Sequence, residues 1–293
     1  MDPNVAELER AEGLAATLRA RPPWRENRPA TGALASLEGA ELWSHRDLAL
    51  LLAVKDLKVR YKQTILGVLW VVLQPVAGAA IFTLIFGRIE ALSGAEHPYA
   101  LVVYTGLIVW LYISGSVGAA ARSLVEQREL LTKVYFPRLL APTAAVLPPL
   151  VDLAVSLAVA GIFVVAYGAH LSLAILLLPV WVAFALLLAL GVGSWLAALN
   201  VKYRDVRHAL SFFIQMWMFA SPVVYASETV ADRWQTLYAV NPAAGIVDGF
   251  RWSLASGPAP GPDVLISFGT ALAILAGGIV YFQRAERAFA DLI

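Results

Sequence analysis

The sequence predicts an all-α protein that crosses a membrane several times, and three features of the chain support this prediction. Of its 293 residues, 59% are hydrophobic and 15% are charged, whereas soluble domains have roughly 45–50% apolar and about 25% charged residues. Stretches without Asp, Glu, Lys or Arg recur along the chain, and they approach the roughly 20 residues with which a helix crosses a bilayer. Most Lys and Arg residues lie on one side of these stretches, as in multi-pass membrane proteins.

The segment before the first apolar stretch predicts an arm and an amphipathic helix. Residues 1–40 are charged and proline-bearing, which indicates a partly disordered cytoplasmic arm without a cleavable signal peptide. Residues 41–63 predict an amphipathic helix at the membrane interface, which is either a juxtamembrane anchor or a guide for a phosphate-bearing lipid substrate. Its apolar stripe consists of Leu50, Val54, Leu57, Tyr61 and Ile65, and the basic stripe beside it consists of Lys55, Lys58 and Lys62.

Six stretches poor in charged residues predict six crossings. Two of them come from one apolar run that begins at Leu139 and continues to Val201, which is too long for one helix across a bilayer. The polar, glycine-bearing break at residues 167–170 divides this run. The six predicted spans are 64–87, 98–121, 140–167, 171–199, 208–227 and 264–283.

The distribution of basic residues predicts the orientation. Nineteen of the 22 Lys and Arg residues fall on the side of both termini, and only Arg88, Arg233 and Arg251 fall on the other side. Because cytoplasmic loops carry the excess of Lys and Arg, we expect both termini, including the tail at 284–293, to be cytoplasmic.

Two segments between spans predict short helices. Residues 122–138 contain both charged and apolar side chains and are long enough for a short helix, which must end at Pro137. This pattern indicates either a cytoplasmic partner or packing on the protein's own amphipathic helix. Residues 229–257 contain two apolar clusters separated by Asn241-Pro242, each too short to span. They predict two short re-entrant helices on the external side, or alternatively an external amphipathic cap.

Asp152 is the only acidic residue within the predicted spans. An ionised side chain in that position needs a partner or water. Pro148-Pro149, just before it, should kink the helix or mark its true start, which would place Asp152 near the cytoplasmic edge. Asp152 therefore has either a structural pairing role or a role in a transport path.

Aromatic residues are frequent in the first, second and fifth predicted spans. Aromatic faces pack in membrane proteins and also stack on the apolar faces of sugar rings. We therefore expect a subset to line a path for a polysaccharide, the others being core or interfacial residues. The candidates are Trp70, Tyr104, Trp110, Tyr112, Phe212, Phe213, Trp217 and Tyr225.

Composition and motifs argue against several other classes of protein. A net charge of +1 is not typical of a nucleic-acid-binding protein. The chain has no cysteine for a disulfide, zinc or iron–sulfur site, and its four histidines lack metal-site spacing. It also lacks the P-loop motif for ATP. We expect no metal and no cofactor in this chain.

Six motifs, in this order, resemble the permease subunit of type-2 polysaccharide ABC exporters, which carry O-antigen, teichoic acid or capsule. The resemblance extends roughly from Leu48 to Trp252. The motifs are YKQTILG at 61–67 with Trp70 and Gln74-Pro75; Gly106 with Trp110; LTKVYFPR at 131–138; NVKYRDV at 200–206; SPVVY at 221–225; and Asn241-Pro242 with Phe250-Arg251.

The resemblance implies a transport subunit that is not itself an enzyme, with its permease domain over residues 64–283. It implies a homodimer in the bacterial inner or plasma membrane that contacts membrane lipids and binds two separate P-loop ATPase subunits, which hold ATP and Mg²⁺. The cargo would be an undecaprenyl-pyrophosphate-linked or otherwise lipid-linked polysaccharide. No nucleic acid is expected as a partner.

The resemblance also implies roles for particular residues. The amphipathic helix at 41–63 would be the gate helix, and the segment at 126–138 would hold the coupling helix. The implied lipid-pyrophosphate entrance consists of Lys55, Lys58, Arg60, Tyr61 and Lys62. The implied ATPase-coupling residues are Glu129, Leu130, Leu131, Lys133, Tyr135, Phe136, Pro137 and Arg138.

Three alternatives compete with polysaccharide export. A type-2 exporter of another lipid or of a small molecule would share these motifs. A membrane enzyme acting on a lipid-linked glycan would need clustered carboxylates or histidines, but Asp152, Asp205 and Asp248 are well separated in the sequence. A secondary transporter would need more ionisable groups within the membrane.

Overall fold

The computed structural model describes residues 39–62, 67–92, 98–133, 136–168, 173–203, 205–255 and 257–292. Within these ranges the chain forms helices and turns, with no strand, so the all-α class is confirmed. The predicted arm at 1–40 lies outside the described residues except for its last two. Residues 63–66, which include the last residue of the predicted amphipathic helix, also lie outside them.

The described helices follow one another with short connections. In chain order they are α1 (Gly39–Ser44), α2 (Arg46–Tyr61), α3 (Leu69–Leu92), α4 (Tyr99–Glu126), α5 (Arg128–Lys133), α6 (Leu140–Ala145), α7 (Pro148–Ala166), α8 (Leu178–Lys202), α9 (Val206–Phe219), α10 (Asp232–Ala239), α11 (Pro242–Ala255) and α12 (Val264–Leu292), with 3₁₀ turns at Leu173–Leu177 and Ser227–Thr229.

Five helical segments of the described chain are long and apolar enough to cross a membrane. They coincide with the first, second, third, fourth and sixth predicted spans. They are Leu69–Gly87, Tyr99–Glu126, Leu140–Ala166, Leu173–Lys202 and Val264–Glu286.

The predicted fifth span, at 208–227, corresponds to a shorter helix. Helix α9 has 14 residues, which at 1.5 Å per residue amounts to about 21 Å, less than the roughly 30 Å of a hydrocarbon core. The helix ends where it does because Pro222 disfavours helical backbone at Ser221, so the chain turns after Ala220. The described residues thus contain five candidate spans rather than six.

The predicted amphipathic helix is divided into α1 and α2, with His45 between them. Tyr61 of its predicted apolar stripe contacts Asp152, whereas Leu50 and Val54 of that stripe are 55% and 45% exposed. Smaller residues on another face, together with Leu52, pack against α6 instead.

Helix α4 is the centre of the core. It packs against α3, α7, α8 and α11, and most of its side chains are buried. Glycines in α8 allow neighbouring helices to approach closely. A Cβ atom on Gly191 would lie 2.8 Å from the backbone of Leu275, and one on Gly193 would lie 2.5 Å from the Cβ of Ala120. Side chains larger than hydrogen at these two positions would therefore force the helices apart.

Helix α7 begins at Pro148, as the Pro148-Pro149 pair predicted. Prolines lack the amide hydrogen that would continue the hydrogen bonds of α6, so the two helices are separate. Asp152 consequently lies in the second turn of α7.

Two short helices, α10 and α11, follow α9 within the segment predicted to hold them. Helix α11 is buried along most of its length and packs against α4, α8 and α12. Helix α10 is largely exposed.

Candidate functional site

Asp152 is held by two residues from the end of α2. Arg60 donates from Nη1 to Oδ2 of Asp152, and the Tyr61 hydroxyl donates to Oδ1. Arg60 and Asp152 are 92 residues apart in the chain. Both carboxylate oxygens are thus engaged, which offsets the cost of placing a charge near the membrane. The contact joins the end of α2 to the start of α7.

The hydroxyl of Tyr61 remains a hydrogen-bond donor at neutral pH. Burial, and then the hydrogen bond to Asp152, raise the pKa of Tyr61 to about 12. Because the hydroxyl stays protonated well above pH 8, the contact with Asp152 does not depend on titration of this group in the physiological range.

A cavity of 360 Å³ lies beside this contact, between α2, α3, α4 and α7. We call it the α2–α7 cavity. Its walls combine the ion pair with aromatic, amide and hydroxyl side chains from the neighbouring helices. These lining residues include Arg60, Tyr61, Trp70, Gln74, Tyr112 and Asp152.

The five predicted entrance residues divide into two groups. Arg60 and Tyr61 line the α2–α7 cavity. Lys55, Lys58 and Lys62 are exposed and do not line it. The three lysines therefore lie outside the cavity, Lys55 and Lys58 on α2 and Lys62 directly after its last residue.

The predicted coupling segment packs on the amphipathic helix. Phe136 is 3% exposed and shares a buried cluster with Ala49 and Leu52 of α2, and Leu130 packs against the same cluster. Of the two interpretations of this segment, a cytoplasmic partner or packing on the amphipathic helix, the structure has the second for these two side chains. It also makes the segment after α5 a direct neighbour of α2.

The other predicted coupling residues occupy different surroundings. Glu129 is exposed on α5, and Pro137 is buried. Arg138 Nη1 donates to the backbone oxygen of Glu286 at 3.2 Å, which joins this segment to α12. Leu131 and Lys133 belong to α5, but their side chains, like all of Tyr135, lie outside the described residues.

The eight predicted path aromatics occupy different parts of the molecule. Tyr104, Trp110 and Tyr112 are buried in the core, where the Tyr104 hydroxyl donates to the Ser156 carbonyl at 3.1 Å. Trp217 is partly buried against Trp110, with ring centroids 5.5 Å apart.

The remaining candidates lie nearer the surface. Phe212 and Phe213 of α9 are 60% and 65% exposed, and Trp70 of α3 is also exposed. Tyr225 is partly buried, with its hydroxyl 2.9 Å from that of Tyr238. Of the eight candidates, only Trp70, Phe212 and Phe213 thus have side chains that are more than half exposed on the surface of the protomer.

A second polar group surrounds Arg251 of α11. Its guanidinium donates to the carbonyls of Val102 (3.3 Å), Val223 (3.0 Å) and Tyr225 (2.9 Å), and lies 3.8 Å from Asp248. It thereby fixes the turn after α9 to α4 and α11. The sequence had marked Arg251 as an external basic residue and as part of the Phe250-Arg251 motif, but not as the centre of these contacts.

Asn241 holds the same turn from the other side. Its Nδ2 donates to the Ala220 carbonyl at 3.0 Å and to the Ser221 hydroxyl at 2.9 Å. Its Oδ1 accepts from Trp217 Nε1 at 2.9 Å. The motif residues at 221–225, 241 and 251 therefore form one network, which their sequence spacing did not reveal.

A larger cavity of 590 Å³ adjoins this network, between α4, α10, α11 and the start of α12. We call it the α11 cavity. Its polar lining residues include Tyr99, Ser227, Gln235, Tyr238, Asp248 and Asp263.

Two contacts were missed from the sequence although signals for them existed. Asp152 was expected to need a partner near the cytoplasmic edge of the membrane. Arg60, at the end of the predicted amphipathic helix, was a basic residue on that same side of the membrane. Asp248 and Arg251 stand three residues apart in a helix, a spacing that brings side chains together. Among the described residues, no three His, Asp or Glu side chains cluster as the ligands of a metal ion would.

Comparisons with known proteins place these features in context. The profile of the ABC-2 type transporter family matches residues 48–255. The O-antigen export system permease protein RfbA of Myxococcus xanthus is 31% identical over 257 residues, which cover 86% of this chain and 98% of that protein. A protein of the same name from Klebsiella pneumoniae is 26% identical over 249 residues, which cover 84% of this chain and 95% of that protein.

Proposed function

The chain belongs to the ABC-2 type transporter family, and we propose that it is the permease that moves a lipid-linked, O-antigen-like polysaccharide out of the cytoplasm across the bacterial inner membrane. One observation carries this proposal, namely the similarity to the Myxococcus xanthus O-antigen export permease over 98% of that protein's length. The chain is a transport subunit, and ATP is hydrolysed by a separate ATPase subunit.

The proposed topology has six crossings with both termini in the cytoplasm. Helix α9 together with the turn at 220–226 forms the fifth crossing, and the hydrogen-bond network of Asn241 and Arg251 supports it on its far side. Helices α10 and α11 are then the short re-entrant helices at the external mouth. The excess of basic residues on the side of the termini supports this orientation.

The proposed assembly is a homodimer with two ATPase subunits. Exposed aromatics on α3 and α9, chiefly Trp70, Phe212 and Phe213, support a path formed between two copies. Such faces can stack on sugar rings. The other five candidate aromatics are buried or partly buried and support the helices behind that path; they are Tyr104, Trp110, Tyr112, Trp217 and Tyr225.

The proposed mechanism runs through contacts between α5, α2 and α7. The ATPase subunits bind at α5 and, on closing around ATP, displace the segment that carries Phe136. Phe136 packs on Ala49 and Leu52, so this movement is passed to α2, the proposed gate helix. The end of α2 holds Asp152 of α7, and a shift of α2 therefore changes the bundle at the α2–α7 cavity. The bundle would thus have two discrete arrangements, and ATP bound to the ATPase subunits would favour one of them.

Reversing the charge of the exposed lysines tests the proposed entrance. We expect the Lys55→Glu, Lys58→Glu, Lys62→Glu triple variant to reduce export at least roughly tenfold, because each basic residue near an anionic surface contributes about 1 kcal/mol. Surface polysaccharide, measured per permease in the membrane, is the readout. Lys202→Glu, an exposed lysine on α8, is the control and should export normally. Unchanged export by the triple variant would contradict the entrance assignment.

Reversing the charge on α5 tests the proposed ATPase contact. We expect Glu129→Lys to lower co-purification of the ATPase subunit roughly tenfold, because Glu129 is exposed on the helix that would dock. Arg233→Glu, at an exposed position of α10 on the proposed far side, should leave co-purification intact. An undiminished complex in Glu129→Lys would remove α5 from the docking surface.

Deleting the gene in its source organism tests the function as a whole. Loss of the permease should abolish surface polysaccharide while lipid-linked glycan accumulates in the cytoplasmic leaflet, and re-expression should reverse both effects. If surface polysaccharide persists and a different lipid or small molecule accumulates inside, the cargo assignment is wrong.

A further inference from the structure

We propose that Asp152 is the resting counter-ion of Arg60 and that a phosphate-bearing lipid head group replaces it there, within the α2–α7 cavity. Asp152 is thus a specificity-determining residue that competes with the cargo for one cation. This inference rests on the proposed function and deepens it, because it names the site and the chemistry by which the lipid-linked cargo is first held.

The geometry around Arg60 provides the first argument. Asp152 binds Arg60 and Tyr61 with both of its oxygens, and its side chain is 24% exposed, so the pair is reachable rather than sealed in the core. Arg60 is 38% exposed. A guanidinium has five donors and binds phosphate and carboxylate in the same bidentate way. A phosphate can therefore take the place that the carboxylate holds.

The cavity beside the pair provides the second argument. Its 360 Å³ falls within the range of roughly 300–1,000 Å³ that is usual for small-molecule sites. Arg60 is the only cationic residue among the described residues that line it, and Gln74, Ser114 and Ser156 contribute further polar groups. Trp70 stands at its edge with an exposed ring. A head group has room here beside its cation.

The exchange has a consequence for α2. Once phosphate occupies Arg60, the Asp152 carboxylate faces a second anion at short range, and like charges at such distances repel. The contact that joins α2 to α7 is then weakened. A ligand shifts a conformational equilibrium only by binding one state better than the other, and here the state with α2 released from Asp152 is the better binder. Cargo arrival is thereby linked to movement of the gate helix.

The two partners of this ion pair should have opposite effects when they are changed singly. We expect Asp152→Asn to bind radiolabelled undecaprenyl pyrophosphate roughly tenfold more tightly, because the competing carboxylate is gone. Arg60→Gln should bind it roughly tenfold more weakly, because the cation is gone. Binding is measured with the permease in nanodiscs of phosphatidylcholine, which requires neither ATP nor glycan.

The double variant separates competition from anchoring. If Asp152 acts through Arg60, Arg60→Gln combined with Asp152→Asn should bind as weakly as Arg60→Gln alone. If the pair only anchors α2, both single variants should shift binding in the same direction or not at all, and either result overturns the inference. Asp47→Asn, which removes an exposed carboxylate 3.9 Å from Arg46 on the same helix, is the matched control and should bind normally.

Thermal unfolding of each variant in nanodiscs identifies any loss of fold. Should Arg60→Gln not fold, Arg60→Lys retains the charge without the planar fork and should bind more weakly than the wild type but measurably. Equal affinity of Arg60→Lys and wild type would overturn the role of the guanidinium.

Competition distinguishes the possible sources of the phosphate. Displacement of the label by inorganic pyrophosphate points to the phosphate group alone, and displacement by phosphatidylglycerol points to any anionic lipid. Displacement by either competitor supports a phosphate site at Arg60. Resistance to both means that the polyprenyl chain alone holds the label, and this result, like the absence of binding to the wild type, overturns the proposal. Export, measured as surface polysaccharide, tests the proposed function independently.

Discussion

Replacing Arg251 with alanine is expected to lower the free energy of unfolding by about 3–5 kcal/mol, because a buried charged hub would be removed from its partners. The carbonyls of Val102, Val223 and Tyr225 would each lose a donor, and Asp248 would lose its nearest cation. Unsatisfied buried acceptors each cost about 1–3 kcal/mol. Unfolding of the purified permease by a denaturing detergent, compared with wild type, provides the measurement.

Two further variants sharpen this result. Arg251→Lys should recover only part of the loss, because one ammonium group cannot reach three carbonyls in different directions as a guanidinium does. Arg233→Ala on α10 removes an exposed arginine whose guanidinium lies 5.9 Å from the Trp234 ring centroid, and it should change stability by less than about 1 kcal/mol. A similarly small change in Arg251→Ala would show that the turn does not depend on this residue.

Replacing Gly106 with alanine is expected to cost roughly 3 kcal/mol, the upper end of what overpacking usually costs. A Cβ atom at this position would lie 2.3 Å from the carbonyl oxygen of Val223. That oxygen cannot retreat freely, because it accepts from Arg251 Nη2 at 3.0 Å. The same detergent titration measures the effect. We also expect reduced export, because the displaced turn directly follows α9.

Gly161→Ala on α7 is the matched control, since a Cβ atom at this exposed position would meet nothing within 4 Å. It should leave stability unchanged or raise it by about 0.5–1 kcal/mol through helix propensity. Gly106→Ala and Arg251→Ala act on the same carbonyl of Val223, so their combined loss should be smaller than the sum of the single losses. Additive losses would mean that the two residues support the turn independently.

The helices of the bundle were largely predictable, and the exceptions have local causes. Apolar length and proline position predicted the five described segments that are long and apolar enough to cross a membrane, and the start of α7 at Pro148. Within the predicted span at 208–227 the helix ends at Phe219, because Pro222 constrains the backbone of Ser221. The apolar stripe predicted on α2 leaves Leu50 and Val54 exposed, and the face that packs on α6 consists of smaller residues together with Leu52.

The candidate site was predicted in parts but not as a whole. Arg60, Tyr61, Trp70 and Tyr112 were named for two separate roles, and the structure brings all four to one cavity with Asp152. Phe136 was expected at a partner surface or on the amphipathic helix, and it packs on α2. Helical spacing shows which residues share a face of one helix, but it does not show which helix that face will meet.

The sequence by itself determined the class of this protein, its apolar segments and the uneven distribution of its basic residues. These properties can be read from short stretches of sequence. The thickness of the bilayer sets the length of each apolar segment, and the preference of Lys and Arg for the cytoplasmic side sets the charge of each loop. Only the tertiary structure decided that Arg60 meets Asp152, that Arg251 holds the turn after α9, and that Tyr104 is buried while Phe212 is exposed. Those contacts join residues far apart in the chain, and packing of whole helices selects them.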